Sequence, residues 1–434
     1  MSGLRASPAA PQQLLNARLP TWLLGDAWPR SADAGSPVLA RVQIAGGRVV
    51  AVTPMDAAPS AGPAWDVDGA LVLPAFVDAH VHLDKAFTLS RITGVQPGLL
   101  GAIEASSRDV PTWTPEDIRV RAARGLQWAH ECGTTRLRTH VNWSEIGPLP
   151  MAWPVLDALS REWRGRVLLE MVSLTKLISF ADAANARTVA AQVHATGPHA
   201  LLGGFVHSSN WDRSSLTHLL AAAAAQDLDV DLHTDEELNP DAHGLLAVAE
   251  ISRGMGFAGR IVCGHVCALA AMPEAQALAV LDAVARAPIT LVSLPITNLL
   301  LQDAVTHRTP RQRGITLVKE ARARGIPLLF ASDNVQDPFC PVGSFDPLEA
   351  FAAGVLAAQL DAPFDRWSDT LCRHDFLARG TPTPASLAGQ PADLLLFPDA
   401  DATGFPSRTA RRVVLRAGVA DSAPPAAWLA PATA

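Results

Sequence analysis

From about residue 70 onward, short apolar runs alternate with longer stretches in which apolar positions recur every three or four residues. Eight runs have the length and β-branched content of strands: LVLPAFVDAHVHL, TTRLRTHVN, RVLLEMVSL, LLGGFVH, DVDLHTDE, RIVCGHVC, ITLVSLP and PLLFASDN. They are near-continuous apolar runs, the pattern of parallel strands covered on both faces. Between them PEDIRVRAARGLQWAHE, SSLTHLLAAAAAQ, PEAQALAVLDAVARA and TPRQRGITLVKEARARG carry helical periodicity. Eight strand–helix repeats in roughly 300 residues predict an α/β chain built as a closed (β/α)8 TIM barrel. No G-x-G-x-x-G turn follows the first strand, which weighs against an open dinucleotide-binding sheet.

The flanks have a different texture. Residues 35–72 and 389–418 read as short strands joined by Gly turns, and neither holds enough apolar surface for its own core. The two ends are therefore expected to pair into one small β-sandwich domain. The expected division is 1–73 and 384–434 for that domain, with 74–383 as the catalytic barrel.

Composition narrows the function class. About half of the 434 residues (49%) are apolar and 18% are charged, which suits a well-buried enzyme rather than a disordered chain. The net charge of −7 argues against nucleic acid or an anionic membrane surface as partner. No apolar run approaches the roughly 20 residues of a spanning helix. Pro and Arg interrupt the N-terminal apolar stretch, so a secretion signal is not expected. The five cysteines are scattered without zinc-knuckle spacing, as reduced thiols of a cytoplasmic protein would be. Tyrosine is absent, so no phenolic acid or base operates. A barrel's helical exterior leaves surface for a homo-oligomer, and no pattern selects its symmetry.

In such a barrel the chemistry gathers at the C-terminal ends of the strands. His80 and His82 close the first strand, and their i,i+2 spacing points both side chains the same way. His233 and Glu236 close the fifth, His265 the sixth, and Asp333 with Asn334 the eighth. Singly, each is an ordinary polar strand end, and Asp333 alone could cap a helix. Jointly, three imidazoles and a carboxylate at converging strand ends suit one divalent ion, Zn²⁺ or Fe²⁺, with Mn²⁺ also tolerated. An ion with an open position would lower the pKa of bound water and so provide a hydroxide nucleophile. Glu236 is placed to shuttle the proton, and His265 to stabilise oxygen charge or share proton handling. His140 and His207 also end strands but are read as bystanders. Cys263 and Cys267, beside His265, read as small core residues.

The motifs PAFVDAHVHLDKAF, LHTDE, GHVCAL and ASDNVQDPFCPVG together resemble the amidohydrolase superfamily, and within it the cytosine deaminase group. The H-x-H-L-D-K form and Asn334 are also similar to the N-isopropylammelide isopropyl amidohydrolases of that group. The resemblance spans essentially the whole chain. It implies that His80, His82, His233 and Asp333 hold a single metal, with Asp333 also part of the catalytic set. It further implies that Glu236 carries the proton from attacking water to substrate nitrogen, while His265 assists at the water.

Departures from the group bear on the substrate. Asn334 stands where cytosine deaminases have an aspartate that reads the pyrimidine. Ser173 and Leu174 replace their base-contacting P-Q segment, and Phe339 replaces a tryptophan. Cytosine is therefore not the expected substrate. Lys85, three residues past His82, and less strongly Lys176, would favour an oxo-rich or anionic nitrogen heterocycle. Lys85, Asn334, Phe339 and Leu174 are thus the candidate substrate contacts. The expected reaction is metal-assisted hydrolysis of a C–N bond that releases ammonia or an alkylamine from a small nitrogen-containing molecule. The alternative, cyclic-amide hydrolysis of the dihydroorotase or hydantoinase kind, generally uses a carboxylated lysine on strand four, and LLGGFVHSSN has none. A third reading is a scaffold that kept the barrel and lost the chemistry; the intact ligand set and Glu236 argue against it.

Overall fold

The structure is a computed structural model that describes residues 10–25, 28, 38–56, 62–380, 385–400 and 404–429. The described residues fall into two compact units, one within Met1–Phe76, Asp361–Cys372 and Thr383–Ala434, the other within Val77–Leu360 and Arg373–Pro382.

All eight expected strand runs of the larger unit form strands. They are β1 (Phe76–Val81), β2 (Thr134–Trp143), β3 (Leu168–Thr175) and β4 (Ala200–Val206), then β5 (Val230–Thr234), β6 (Ile261–His265), β7 (Ile289–Ser293) and β8 (Leu328–Phe330). They pair in sequence order within one sheet, and the pairings from β2 through β8 are all parallel. The ends of the sheet meet: Val81 bridges Asp333 in parallel, and the Asp333 amide donates to the His80 carbonyl at 2.9 Å. Closure follows from the sequence pattern, since strands apolar at both parities need cover on both faces. Helices supply the outer cover. Pro115–Glu131 begins where Thr114 accepts from the Asp117 amide, with Pro115 at the first position and two acidic residues in the first turn.

The helix expected over 309–325 is shorter, Val318–Ala323. Gly314 sits at φ +61°, a conformation no continuous helix admits, and a β-carbon there would collide with the Gln302 side chain. No helix among the described residues is long and apolar enough to cross a membrane.

In the smaller unit, strands from both chain ends share one sheet. Leu71–Pro74 pairs antiparallel with Leu394–Phe397 on one side and parallel with Gln13–Leu19 on the other. The run LVLPAFVDAHVHL is thus two strands, not one. They part at Pro74, and the Ala75 amide turns to the Asp393 carbonyl at 2.8 Å. Gln13–Leu19 carried no strand signal. Asn16 lies at φ +54° in a register shift against Val38–Ala45, which breaks the two-residue alternation. Leu14, Val42, Trp65, Val72, Leu394, Leu396, Leu415 and Trp428 fill this unit's core. Each such side chain contributes about 1.5–3 kcal/mol by leaving water.

Candidate active site

Four polar atoms converge at one end of the barrel. His80 and His233 place their Nε2 atoms 3.2 Å apart, and His233 and His82 do the same at 3.2 Å. Asp333 Oδ1 lies 3.3 Å from His82 Nε2 and 3.7 Å from His80 Nε2. All four side chains are buried, and neither Asp333 oxygen has a hydrogen-bond partner. The strands place them. His80 is next to last in β1, His82 follows just past the strand's end on the same parity, His233 is next to last in β5, and Asp333 is bridged back to β1 at φ +63°. Such backbone strain at strand ends persists only where the surroundings hold it.

The donor set fits one divalent ion. Metal–ligand bonds of about 2.0–2.2 Å in a tetrahedral site put ligand atoms roughly 3.3–3.6 Å apart, the spacing found here. Burial pushes the His80, His82 and His233 imidazoles well below their usual range, so they present lone pairs rather than charge. A bare buried carboxylate among neutral imidazoles would be costly, and a cation relieves that cost.

Glu236 and His265 adjoin the cluster. Glu236 Oε1 lies 3.3 Å from His265 Nδ1. Burial pushes the Glu236 carboxyl well above the usual carboxylate range, and the Asp333 charge adds to it while Lys85 works against it. Burial likewise pushes His265 down to about 4.

The cluster opens into a cavity of about 380 Å³. His82, His233, Glu236 and His265 line its floor, and Lys85, Asn334, Phe339 and Leu174 all line its walls. Lys85 is held from the backbone: Arg121 Nη1 donates to the Asp84 and Ala86 carbonyls at 2.7 and 2.9 Å, and Asp84 Oδ2 accepts from the Asn142 amide at 2.9 Å. Lys85 Nζ stands 4.5 Å from the centroid of the Phe339 ring, a cation–π contact. Asn334 Nδ2 donates to Asp337 Oδ2 at 2.6 Å, which fixes the amide's orientation. Lys176 reaches the same cavity from an exposed position. The helix Leu99–Asp109, which the strand pattern did not single out, supplies Leu99, Ile103 and Ser106 to the wall.

Two buried neighbours of the cluster lie outside the expected site residues: His140, which the sequence offers as a strand-end bystander, and Asn298, which it does not single out. The His140 ring stacks on His80 with centroids 3.8 Å apart, and its Nε2 is 3.6 Å from Asp231 Oδ1. The available signal was parity: Arg136, Arg138 and His140 share one face of β2, an odd charged run for a barrel interior. Asn298, on the helix after β7, places Nδ2 2.9 Å from His265 Nδ1. His207 lies apart from this group, stacked on Phe205 and 3.7 Å from Glu237.

Gly264 supports the cluster by lacking a side chain. A β-carbon there would meet His80 Nδ1 at 2.9 Å and Cε1 at 3.0 Å. Gly264→Ala is expected to displace the His80 ring and weaken metal affinity by about 10–100-fold, as loss of ligand support commonly does. Chelator competition on purified protein measures this directly; an unchanged affinity would show that the ring has room to move.

The description "Amidohydrolase family" matches residues 179–402. The chain is 35% identical over 383 residues to a pterin deaminase of Rhizobium rhizogenes (strain K84 / ATCC BAA-868), covering 87% of each. It is 24% identical over 291 residues to an N-isopropylammelide isopropyl amidohydrolase of Pseudomonas sp. (strain ADP), covering 65% of this chain and 68% of that one. The solved 5-methylcytosine deaminase of Klebsiella pneumoniae superposes with a TM-score of 0.78 at 24% identity, covering 95% of this chain and 98% of that one. The chain therefore belongs to the amidohydrolase family and is a hydrolase of C–N bonds.

Proposed function

We propose that this enzyme deaminates an amino-substituted, oxo-bearing nitrogen heterocycle of the pterin kind, and that cytosine is not its substrate. The observation that carries the reading is the juxtaposition of four converging candidate ligand atoms with buried Glu236, both opening on a cavity roomy enough for a bicyclic ring. The 35% identity to a pterin deaminase supports the choice of ring.

His80, His82, His233 and Asp333 would hold one zinc, iron or manganese ion, which when bound supplies Lewis acidity and a water of lowered pKa. Glu236 takes a proton from the attacking water and returns it to the ring nitrogen beside the attacked carbon; water adds across C=N. Water's second proton then passes from the new hydroxyl, again by way of Glu236, to the exocyclic amine; the carbon–amine bond breaks, ammonia leaves, and the ring carbon keeps the oxygen as a carbonyl. The raised basicity of the buried Glu236 suits a group that must hold a proton between these transfers. His265 faces the oxygen charge that develops. Phe339 and Leu174 offer flat apolar surface to the ring, and Lys85 offers a cation to its oxo edge. With Asn334 tied to Asp337 and no aspartate in its place, the site lacks the carboxylate that would read cytosine. The absence of lysine from Ala200–Val206 counts against the cyclic-amide alternative.

The test is ammonia and alkylamine release from metal-replete protein over a panel of aminopteridines, aminotriazines, N-alkyl aminotriazines and cytosine. Ammonia is expected from 2-amino-4-oxopteridine, with cytosine lower in kcat/KM by at least about 100-fold, since a mismatched polar site rejects strongly. Silence across the panel with metal bound would overturn the reading, and equal use of cytosine would overturn its exclusion. Lys85→Met is expected to raise KM for oxo-bearing rings by about tenfold, the worth of one charge-assisted hydrogen bond.

A further inference from the structure

The helix Pro295–Leu301 opens on a proline, whose missing amide costs nothing in a first turn. One turn in, the Asn298 amide donates to the Leu294 carbonyl at 3.0 Å, so the residue is helical. Its side chain is fully buried. Asparagine is a poor helix former, and a buried amide needs partners for both of its ends. Asn298 has a partner at one end only: Nδ2 lies 2.9 Å from His265 Nδ1, while Oδ1 has none. A leucine of nearly the same shape would remove the unpaired oxygen. What asparagine supplies and leucine cannot is an N–H directed at one imidazole.

We propose that Asn298 is a positioning residue that holds His265 in the tautomer with Nδ1 as acceptor and the proton on Nε2. Glu236 Oε1 is also 3.3 Å from Nδ1. Without the donor from Asn298, an Nδ1–H would turn to that carboxylate and Nε2 would be left bare. His265 Nε2 is buried with no protein partner, and the ring stands beside His80 and His233, which lie at centroid distances of 5.2 and 4.9 Å. The backbone holds the ring as well: His265 sits at φ +69°, and its carbonyl accepts from Thr316 Oγ1 at 2.7 Å. Asn298 thus makes His265 an N–H donor toward the cluster rather than a further lone pair. The catalytic consequence, an N–H aimed at the oxygen that gains charge, rests on the deaminase reading; the tautomer does not.

The experiment uses protein with ¹⁵N-labelled histidine, metal-free and zinc-loaded, and identifies the His265 resonances by their loss in His265→Gln. Wild type is expected to show Nδ1 unprotonated and Nε2 protonated. Asn298→Leu is expected to lose that preference, and Asn298→Asp, which can only accept, to invert it. Asn298→Leu should keep its zinc content and melt at or above the wild-type temperature, while kcat falls about 10–100-fold and KM stays within about threefold. Unchanged His265 resonances in Asn298→Leu would overturn the proposal. So would a melting temperature that falls in step with activity, because that marks a packing residue. The resonances and the melt need no substrate, so they answer even if the pterin assignment fails.

Discussion

Glu236→Gln is expected to lower kcat by about 10²–10⁴-fold while metal content and melting temperature stay at wild-type values, the range that loss of a general acid–base commonly produces. Glutamine keeps the volume and the hydrogen-bonding shape at a site only 3% exposed, and removes only the ability to accept and release a proton. Burial already disfavours the ionised form of Glu236, with the charge of Asp333 adding to it. The neutral substitute therefore removes a strained charge, and the fold loses nothing. His265, 3.3 Å away, cannot take over, because its Nδ1 is engaged by Asn298 and burial holds its basicity down to about 4. Steady-state kinetics on whichever aminoheterocycle is turned over, with metal measured by atomic emission on the same sample, decide the matter. A kcat within threefold of wild type at full metal occupancy would remove Glu236 from the proton path.

The parts of this site that could be read in sequence were those set by strand geometry. The spacing of His80 and His82, and the polar residues at or just past the ends of β5, β6 and β8, follow from one rule about where parallel strands end, and the structure brings His82, His233 and Asp333 together and sets Glu236 against His265. His140 obeys a different rule. Its strand runs on to Trp143, so it lies inside the barrel wall rather than at a tip, and its neighbours were legible only through the parity it shares with Arg136 and Arg138. Asn298 had no signal at all. It meets His265 across 33 residues through a helix whose pattern is simply apolar, and only the closed barrel brings them together. The wall from Leu99–Asp109 was hidden for the same reason, since an amphipathic helix does not announce which surface it covers.

Arg138→Met is expected to destabilise the barrel by about 3–5 kcal/mol, the usual consequence of removing one partner from a buried ion network. Arg138 is 1% exposed and donates to Asp231 Oδ2 at 2.7 Å and to Glu170 Oε2 at 3.0 Å. Arg136 donates to the other Glu170 oxygen at 2.5 Å, so Glu170 keeps a cation when Arg138 is lost; no second cation is paired with Asp231 among the described residues. Burial works to raise the Glu170 carboxyl, yet Arg138 and then Arg136 hold it down to about 2 from 4.5. A depressed carboxylate contributes stability that is present above about pH 4.5 and lost as pH falls through about 2. Part of that hold disappears with Arg138. At Asp231 burial outweighs Arg138 and raises the carboxyl to about 7, so Asp231 is the first of the two to lose its charge as pH falls. The deficit of the variant should therefore be largest above about pH 7 and shrink on acidification, which urea unfolding across pH can follow. Replacing Arg138, Glu170 and Asp231 together by apolar residues should recover most of the loss, because no buried charge is then left unpaired. A deficit under about 1 kcal/mol at pH 7 would mean that water reaches these carboxylates and the network is a surface-like one. The network also bears on the site, since Asp231 Oδ1 faces His140 at 3.6 Å and His140 stacks on His80 at 3.8 Å. Loss of Arg138 should thus loosen metal binding as well as the fold, and the triple variant should restore the fold while leaving His140 without its carboxylate.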